Sequence, residues 1–374
     1  MSNADQNRPL RVGVVGLGYA GETHTKSYLQ IPNVEVVALA GLEAERLALL
    51  GATFNIPHLY PDYQSLVARD DLDIVSVCVP NYLHAPITIA ALESGKHVLC
   101  EKPLARSGAE AEAMVQAARK ANRVLEVAFN HRERGDVQVL KRYIDNGKLG
   151  RIYHAKASWM RRRGIPGIGS WFTSKEMAGG GPLIDLGVHV LDLALFLLGE
   201  PDVVSVSAAT YAELGPQGRG GSAGSDKMVV GSAYEVEDLA TAFVRLAQGT
   251  TLLLEASWAA HGSAGDDFGV TLYGTEGGAE IRVKNYNWED TLRIYTDVAD
   301  APAEVHPRVT KGEGHLAVVR QFIDTIRSGD WSAHIGGEGL TRTRIIDACY
   351  TSALQGREVV LTTTGSGDLQ PAQS

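Results

Sequence analysis

The chain has 374 residues and carries 35 Lys+Arg against 44 Asp+Glu, a formal charge of −9. With 44% hydrophobic and 21% charged residues it is not a mostly disordered chain, and its length suits two domains with sizeable cores. The acidic balance argues against a general nucleic-acid binder or a membrane-surface protein, and leaves room for a local basic pocket.

Forty-one glycines show no collagen-like period, so they mark turns and close backbone approaches. Cys78, Cys100 and Cys349 lack a CxxC spacing and lie in apolar stretches. They read as small buried hydrophobes rather than a disulfide framework or a metal set. The start, Met1–Arg8, is polar, and no run of eighteen apolar residues follows. The expectation is a cytoplasmic, reducing location.

In chain order, short apolar runs alternate with helical patterns. The strands are Leu10–Gly16, Val34–Ala40, Asp73–Val79, Lys96–Cys100 and Val124–Phe129. The helices are Glu22–Gln30, Ala85–Ser94, Gly108–Asn122 and Val137–Asn146. Continuous apolar strands separated by helices predict a parallel sheet covered on both faces. Near Gly150 the pattern changes. Strands at Ile152–Trp159, Val203–Tyr211, Ala240–Leu246, Thr250–Trp258, Phe268–Tyr273, Ala279–Val283 and Thr291–Tyr295 follow one another. Several alternate apolar and polar residues, which predicts a mainly antiparallel sheet with one wetter face. Helices are expected at Leu183–Leu198, His315–Ser328 and Glu338–Gln355, a flexible loop at Gly215–Gly224, and a disordered tail over 362–374. The expected domains are therefore 9–150 and 151–361.

Gly16-Leu17-Gly18-Tyr19-Ala20-Gly21 is a GxGxxG run between a strand and a helix, the context in which such a loop binds a dinucleotide. Gly16 would make the tight turn, Gly18 would admit a pyrophosphate, and Gly21 would let helix and strand pack. The second strand should end in an acid for the adenosine ribose. Gly41 stands there instead, with Glu43 two residues on and Arg46 beyond it. Glu43 favours NAD and Arg46 could meet a 2′-phosphate, so both NAD and NADP remain open.

Two motifs carry the chemistry. Cys100-Glu101-Lys102-Pro103 ends a strand. Gly179-Gly180-Gly181-Pro182-Leu183-Ile184-Asp185-Leu186-Gly187-Val188-His189 opens a helix on which Asp185 and His189 share a face. Oxidising a secondary alcohol moves a hydride from carbon and a proton from oxygen. Imidazole suits the proton, a neighbouring carboxylate favours the imidazolium, and an ammonium stabilises alkoxide charge. A metal set of Asp185, His189 and Asp192 is the weaker alternative.

With Val79-Pro80-Asn81, His84 and Gly95-Lys96-His97-Val98, these motifs resemble the glucose-fructose oxidoreductase, inositol dehydrogenase and rhizopine catabolism family from Leu10 to about Leu361. The resemblance implies a Rossmann domain followed by a domain with a large open sheet, and catalytic or substrate-anchoring roles for Lys102, Asp185 and His189. It leaves open whether Lys102 or His189 takes the proton. It also implies a cis Lys102–Pro103 bond, against general rates.

Pro80, Asn81, His84, Glu101 and Asn130 sit near strand ends and are candidates for the cofactor, although His84, like His24, also reads as a packing or capping residue. Arg132, Trp171 and Arg163, the last of a basic triplet from Arg161, are candidates for the substrate. No resident metal is expected. The expected activity is an NAD(P)-dependent dehydrogenase of a sugar, sugar derivative or cyclic polyol, in a homodimer or homotetramer. The rivals are a non-catalytic dinucleotide sensor and an NAD-dependent glycosidase.

Overall fold

The computed structural model describes residues 8–222, 233–363 and 369–371. It divides into two compact units. One comprises the chain through Asn130 together with Gly314–Leu340, and the other comprises His131–Glu313 with the chain from Thr341.

The first unit holds six strands: β1 (Leu10–Val15), β2 (Val34–Ala40), β3 (His58–Tyr60), β4 (Ile74–Val77), β5 (His97–Cys100) and β6 (Leu125–Val127). All neighbours are parallel, in the order β3-β2-β1-β4-β5-β6. This is the doubly wound dinucleotide-binding order, with its reversal at β1/β4. β2 and β4 are almost wholly buried because helices cover both faces, which is why they read as unbroken apolar runs. One core packs Val77, Val98, Met114 and Leu92. The other packs Val12, Val36 and Tyr28 with Val319, Phe322 and Ile323.

Those last three lie on the helix His315–Ser328, so the chain returns to the first unit long after leaving it. The sequence reading drew a single boundary near Gly150. In the structure the first crossing follows Asn130, and the helix Gly135–Asp145 belongs to the second unit. That helix is anchored there by Asp136, whose Oδ2 accepts the Thr291 hydroxyl at 2.7 Å.

The second unit is built on ten strands: β7 (Ile152–Arg161), β8 (Val203–Tyr211), β9 (Leu239–Leu246), β10 (Thr251–Ser257), β11 (Asp266–Gly274), β12 (Gly278–Lys284), β13 (Leu292–Val298), β14 (Ala301–Val305), β15 (Val359–Thr363) and β16 (Leu369–Pro371). They run in the order β14-β13-β12-β11-β7-β10-β9-β8-β15-β16. Every pair is antiparallel except β7 with β10. The inner face carries Ala155, Ala157, Trp159, Leu252, Leu254, Val270 and Leu272, all buried. The outer face is more open and exposes Leu253, Tyr273 and Tyr295.

The tail read as disordered from 362 instead continues strand pairing, Leu361 with Pro371 through Thr363 with Leu369. Residues 364–368 and 372–374 lie outside the described residues. In the glycine-rich loop, Leu214 and Gly215 donate backbone N–H bonds to Asp238 Oδ2 at 2.6 and 2.9 Å, a pinned turn rather than a loose one. Residues 223 and 224 of that loop also fall outside the described residues. The apolar stretch Lys175–Leu197 is long enough to cross a membrane, but 89% of its most apolar window is buried inside the protein. Its composition is that of a core helix.

Candidate active site

In the first unit, the GxGxxG run turns from β1 into the helix Tyr19–Tyr28. Gly16 has φ +111°, and a Cβ there would sit 1.9 Å from the Cys78 carbonyl oxygen. At Gly21 a Cβ would sit 1.9 Å from the Gly16 oxygen. Both glycines are demanded by packing alone. Gly18 differs: a Cβ there would meet nothing within 4 Å, and no side chain caps the helix that follows. Open space in front of uncapped N–H donors at a helix N-terminus fits a pyrophosphate. Leu17 is buried, whereas Tyr19 is 81% exposed beside Ala20.

At the end of β2, a Cβ on Gly41 would lie 2.4 Å from the Leu17 side chain, so an acid at that position would push the Leu17 side chain aside. Glu43 is exposed at the N-cap of the helix Ala44–Phe54. Arg46 donates Nε–H to the Leu17 carbonyl at 3.2 Å and pairs with Glu22 Oε2 at 2.5 Å. Its charge is therefore compensated by Glu22 and braces the loop.

Pro80 and buried Asn81 follow β4, and Asn130 begins a short turn after β6. The buried His84 ring lies between two backbone carbonyls. Nδ1 lies 2.7 Å from the Pro103 carbonyl and Nε2 lies 2.8 Å from the Val79 carbonyl. Lys102 is half-buried, and the Lys102–Pro103 peptide is cis. Glu101 Oε2 accepts the Lys102 N–H at 3.1 Å, while Oε1 faces His24 and His315. Burial would raise the Glu101 carboxyl, but the bonds from His24 and His315 outweigh it and hold the group well below the usual carboxylate range.

In the second unit, Asp185 and His189 lie on consecutive turns, as their spacing predicts. The first turn, Leu183–Gly187, is π-helical and leads into the α-helix Val188–Leu197. Glu237 accepts the N–H groups of Gly181 and Leu183 at 3.0 and 3.1 Å and the Tyr350 hydroxyl at 2.9 Å, fixing where this segment starts. Asp185 Oδ2 accepts the indole N–H of fully buried Trp258 at 2.9 Å. His189 packs its ring 4.6 Å from His131 and 5.5 Å from Trp159. Trp159 stacks on Phe268 at 4.5 Å and donates its indole N–H to Asp266 Oδ1 at 2.7 Å.

Arg161 joins this wall. Its Nε lies 2.9 Å from Asp266 Oδ2, and it bonds the Tyr286 hydroxyl at 3.2 Å. Burial disfavours the Arg161 charge, but Asp266, Tyr286 and Asp185 outweigh that and keep it firmly protonated. Burial likewise raises the Tyr286 phenol. Sequence reasoning missed His131, Trp159, Trp258, Asp266 and Tyr286, and within the basic triplet it favoured Arg163 over Arg161. Arg162 and Arg163 are exposed. Trp171 stacks on Phe172 at 3.8 Å, and Phe172 meets Trp258 edge-on.

Arg132 forks onto Asp192 at 2.8 and 2.5 Å. Asp192 also accepts from the buried Arg342 at 3.0 Å, so its carboxylate is shared by two guanidinium groups. Together the second unit offers a carboxylate, an imidazole and an aromatic wall, the components for holding a sugar ring and moving a proton.

Comparison with known proteins agrees with these features. Residues 10–129 match the oxidoreductase family with an NAD-binding Rossmann fold, and residues 137–280 match the GFO/IDH/MocA C-terminal domain. The D-glucoside 3-dehydrogenase of Escherichia coli K12 is 33% identical over 363 residues, covering 96% of this chain and 100% of that protein. The levoglucosan dehydrogenase of Pseudarthrobacter phenanthrenivorans is 31% identical over 353 residues, covering 91% and 87%. A solved levoglucosan dehydrogenase in complex with NADH superposes with a TM-score of 0.82 at 28% identity, over 94% of this chain and 99% of that one.

Proposed function

The chain belongs to the GFO/IDH/MocA oxidoreductase family, and on that premise we propose that it oxidises a secondary hydroxyl of a pyranoside of the D-glucoside or levoglucosan type, with NAD. It is an NAD-dependent oxidoreductase of sugar or polyol CH–OH groups. The observation that carries the narrower reading is the turn bearing Asp185 and His189 beside Trp159 and Phe268. Aromatic faces take the apolar C–H face of a pyranose, while the carboxylate and imidazole address its hydroxyls.

When bound, NAD takes the hydride. Gly16, Leu17, Gly18, Tyr19, Ala20 and Gly21 hold its pyrophosphate, with Pro80, Asn81, Glu101 and Asn130 serving the rest. NAD is preferred over NADP because the Arg46 charge is already neutralised by Glu22, whose carboxylate would repel a 2′-phosphate. Lys102 stabilises the developing alkoxide, His189 receives the proton and Asp185 supports the imidazolium. Trp171 lines the sugar side, and Arg163 meets substituents of the substrate at the surface.

The outer sheet face, with Leu253, Tyr273 and Tyr295, is the surface through which the chain forms a homo-oligomer. Three buried free thiols support a cytoplasmic location. A spectrophotometric screen of glucosides, anhydro sugars and inositols with NAD and NADP in parallel tests the reading. NADH formation with a glucoside or anhydro sugar supports it. Free sugar released without net cofactor reduction would favour the glycosidase rival.

A further inference from the structure

We propose that His24, His315 and His84 are positioning residues that grip the Lys102–Pro103 turn from both sides and so fix where the Lys102 ammonium meets the substrate oxygen. This rests on the reading of Lys102 as a catalytic residue. The three imidazoles come from separate helices, Tyr19–Tyr28, His84–Glu93 and His315–Ser328. His24 and His84 are 0% and 1% exposed, so neither is available to solvent.

The first grip works through Glu101. Its Oε1 lies 3.1 Å from His24 Nε2 and 3.4 Å from His315 Nε2, and its Oε2 accepts the Lys102 N–H at 3.1 Å. On the far side, His24 Nδ1 lies 2.7 Å from Ser76 Oγ. A single neutral tautomer satisfies this chain: the Ser76 hydroxyl donates to Nδ1, and Nε2–H donates to the carboxylate. The second imidazole, its ring 5.6 Å from that of His24, brings its Nε2 to 3.4 Å from the same oxygen. Glu101 is thereby immobilised on one edge, and its other oxygen is presented to the peptide that carries Lys102. A carboxylate that is buried and ionised accepts several N–H bonds at once, which makes it a stiff anchor rather than a mobile side chain.

The second grip is His84, whose neutral ring donates Nδ1–H to the Pro103 carbonyl at 2.7 Å and packs its Nε2 2.8 Å from the Val79 carbonyl just past β4. The peptide units on either side of the Lys102–Pro103 peptide are therefore held, one by its N–H and the other by its C=O. That defines the direction in which the Lys102 side chain leaves the backbone. The ligand atoms of His24, Glu101 and His315 lie within 4.8 Å of one another, a spacing that a divalent cation also tolerates. The test separates the two.

The experiment uses the full chain and a confirmed sugar substrate. Turnover, the substrate KM, NAD affinity and thermal stability are measured for His315→Ala, His315→Gln and Lys102→Ala, each with chelator and with added zinc. The brace predicts that His315→Ala loses about ten- to a hundredfold in kcat with little change in KM or NAD affinity. His315→Gln, which keeps an N–H for Glu101, recovers most of the rate, and chelator has no effect. Should His315→Ala not fold, Ser76→Ala removes the far end of the chain and lowers kcat about fivefold. Wild-type kcat in His315→Ala or Ser76→Ala overturns the proposal, as does equal loss in the Ala and Gln variants. Loss on chelation with recovery on zinc would also overturn it and make the cluster a metal site. If Lys102→Ala itself turns over at the wild-type rate, the catalytic reading fails instead.

Discussion

Replacing Gly18 by Ala isolates the cofactor cradle from the fold. The backbone there is extended, with φ −74° and ψ −169°, and the added Cβ touches nothing within 4 Å. Alanine adopts such a backbone without strain, so stability should be unchanged or raised by about 0.4–1 kcal/mol through the unfolded chain. The methyl instead fills the space in which the pyrophosphate approaches the helix N-terminus. Losing one charge-assisted hydrogen bond there costs about 1.5–3 kcal/mol, which weakens NAD binding about ten- to a hundredfold. Gly16→Ala behaves oppositely: its Cβ would lie 1.9 Å from the Cys78 oxygen at φ +111°, so the protein itself is destabilised. Calorimetric titration with NAD, paired with thermal melts of each variant, reads both effects. Wild-type NAD affinity in Gly18→Ala would refute the reasoning.

Three further outcomes follow from the geometry. Trp258→Phe keeps a ring in the core but removes the 2.9 Å bond to Asp185. It should lower kcat about tenfold or more, and an unchanged kcat would separate that bond from the chemistry. Arg342→Met leaves Asp192 short of a partner in a site where both side chains are 1% exposed, and should cost about 3–5 kcal/mol in urea denaturation. His97 is pushed down to about 4, chiefly by burial and then by Arg123. The unfolded chain therefore binds its proton first as pH falls. The stability held above about pH 6.5 is lost progressively toward pH 4, on the order of 3 kcal/mol. His97→Gln should flatten the stability–pH curve in that window, measured by chemical denaturation.

What could be read from the sequence was set by sequence distance. The glycine loop and the Asp185–His189 turn are local patterns, and their spacing announces them. The wall around His189 is not local: Arg161, Asp266 and Tyr286 come from three places that meet only when β7 pairs with β11 and β11 with β12. Their single positions look like ordinary surface charges and aromatics. The Glu101 brace likewise joins residues from position 24 to position 315. Gly41 suggested a missing acid, while its physical role is to make room for Leu17. The helix His315–Ser328 was legible as a helix, but its return to the first unit depends on Phe322 and Ile323 filling a core that had no local signature.

The central claim is tested most directly by following NADH formation from NAD and a glucoside in the wild-type protein and in Lys102→Ala and His189→Ala. The account predicts turnover in the wild type and a fall of about 10²–10⁴-fold in both variants, with NAD still bound. Wild-type rates in both variants would contradict it.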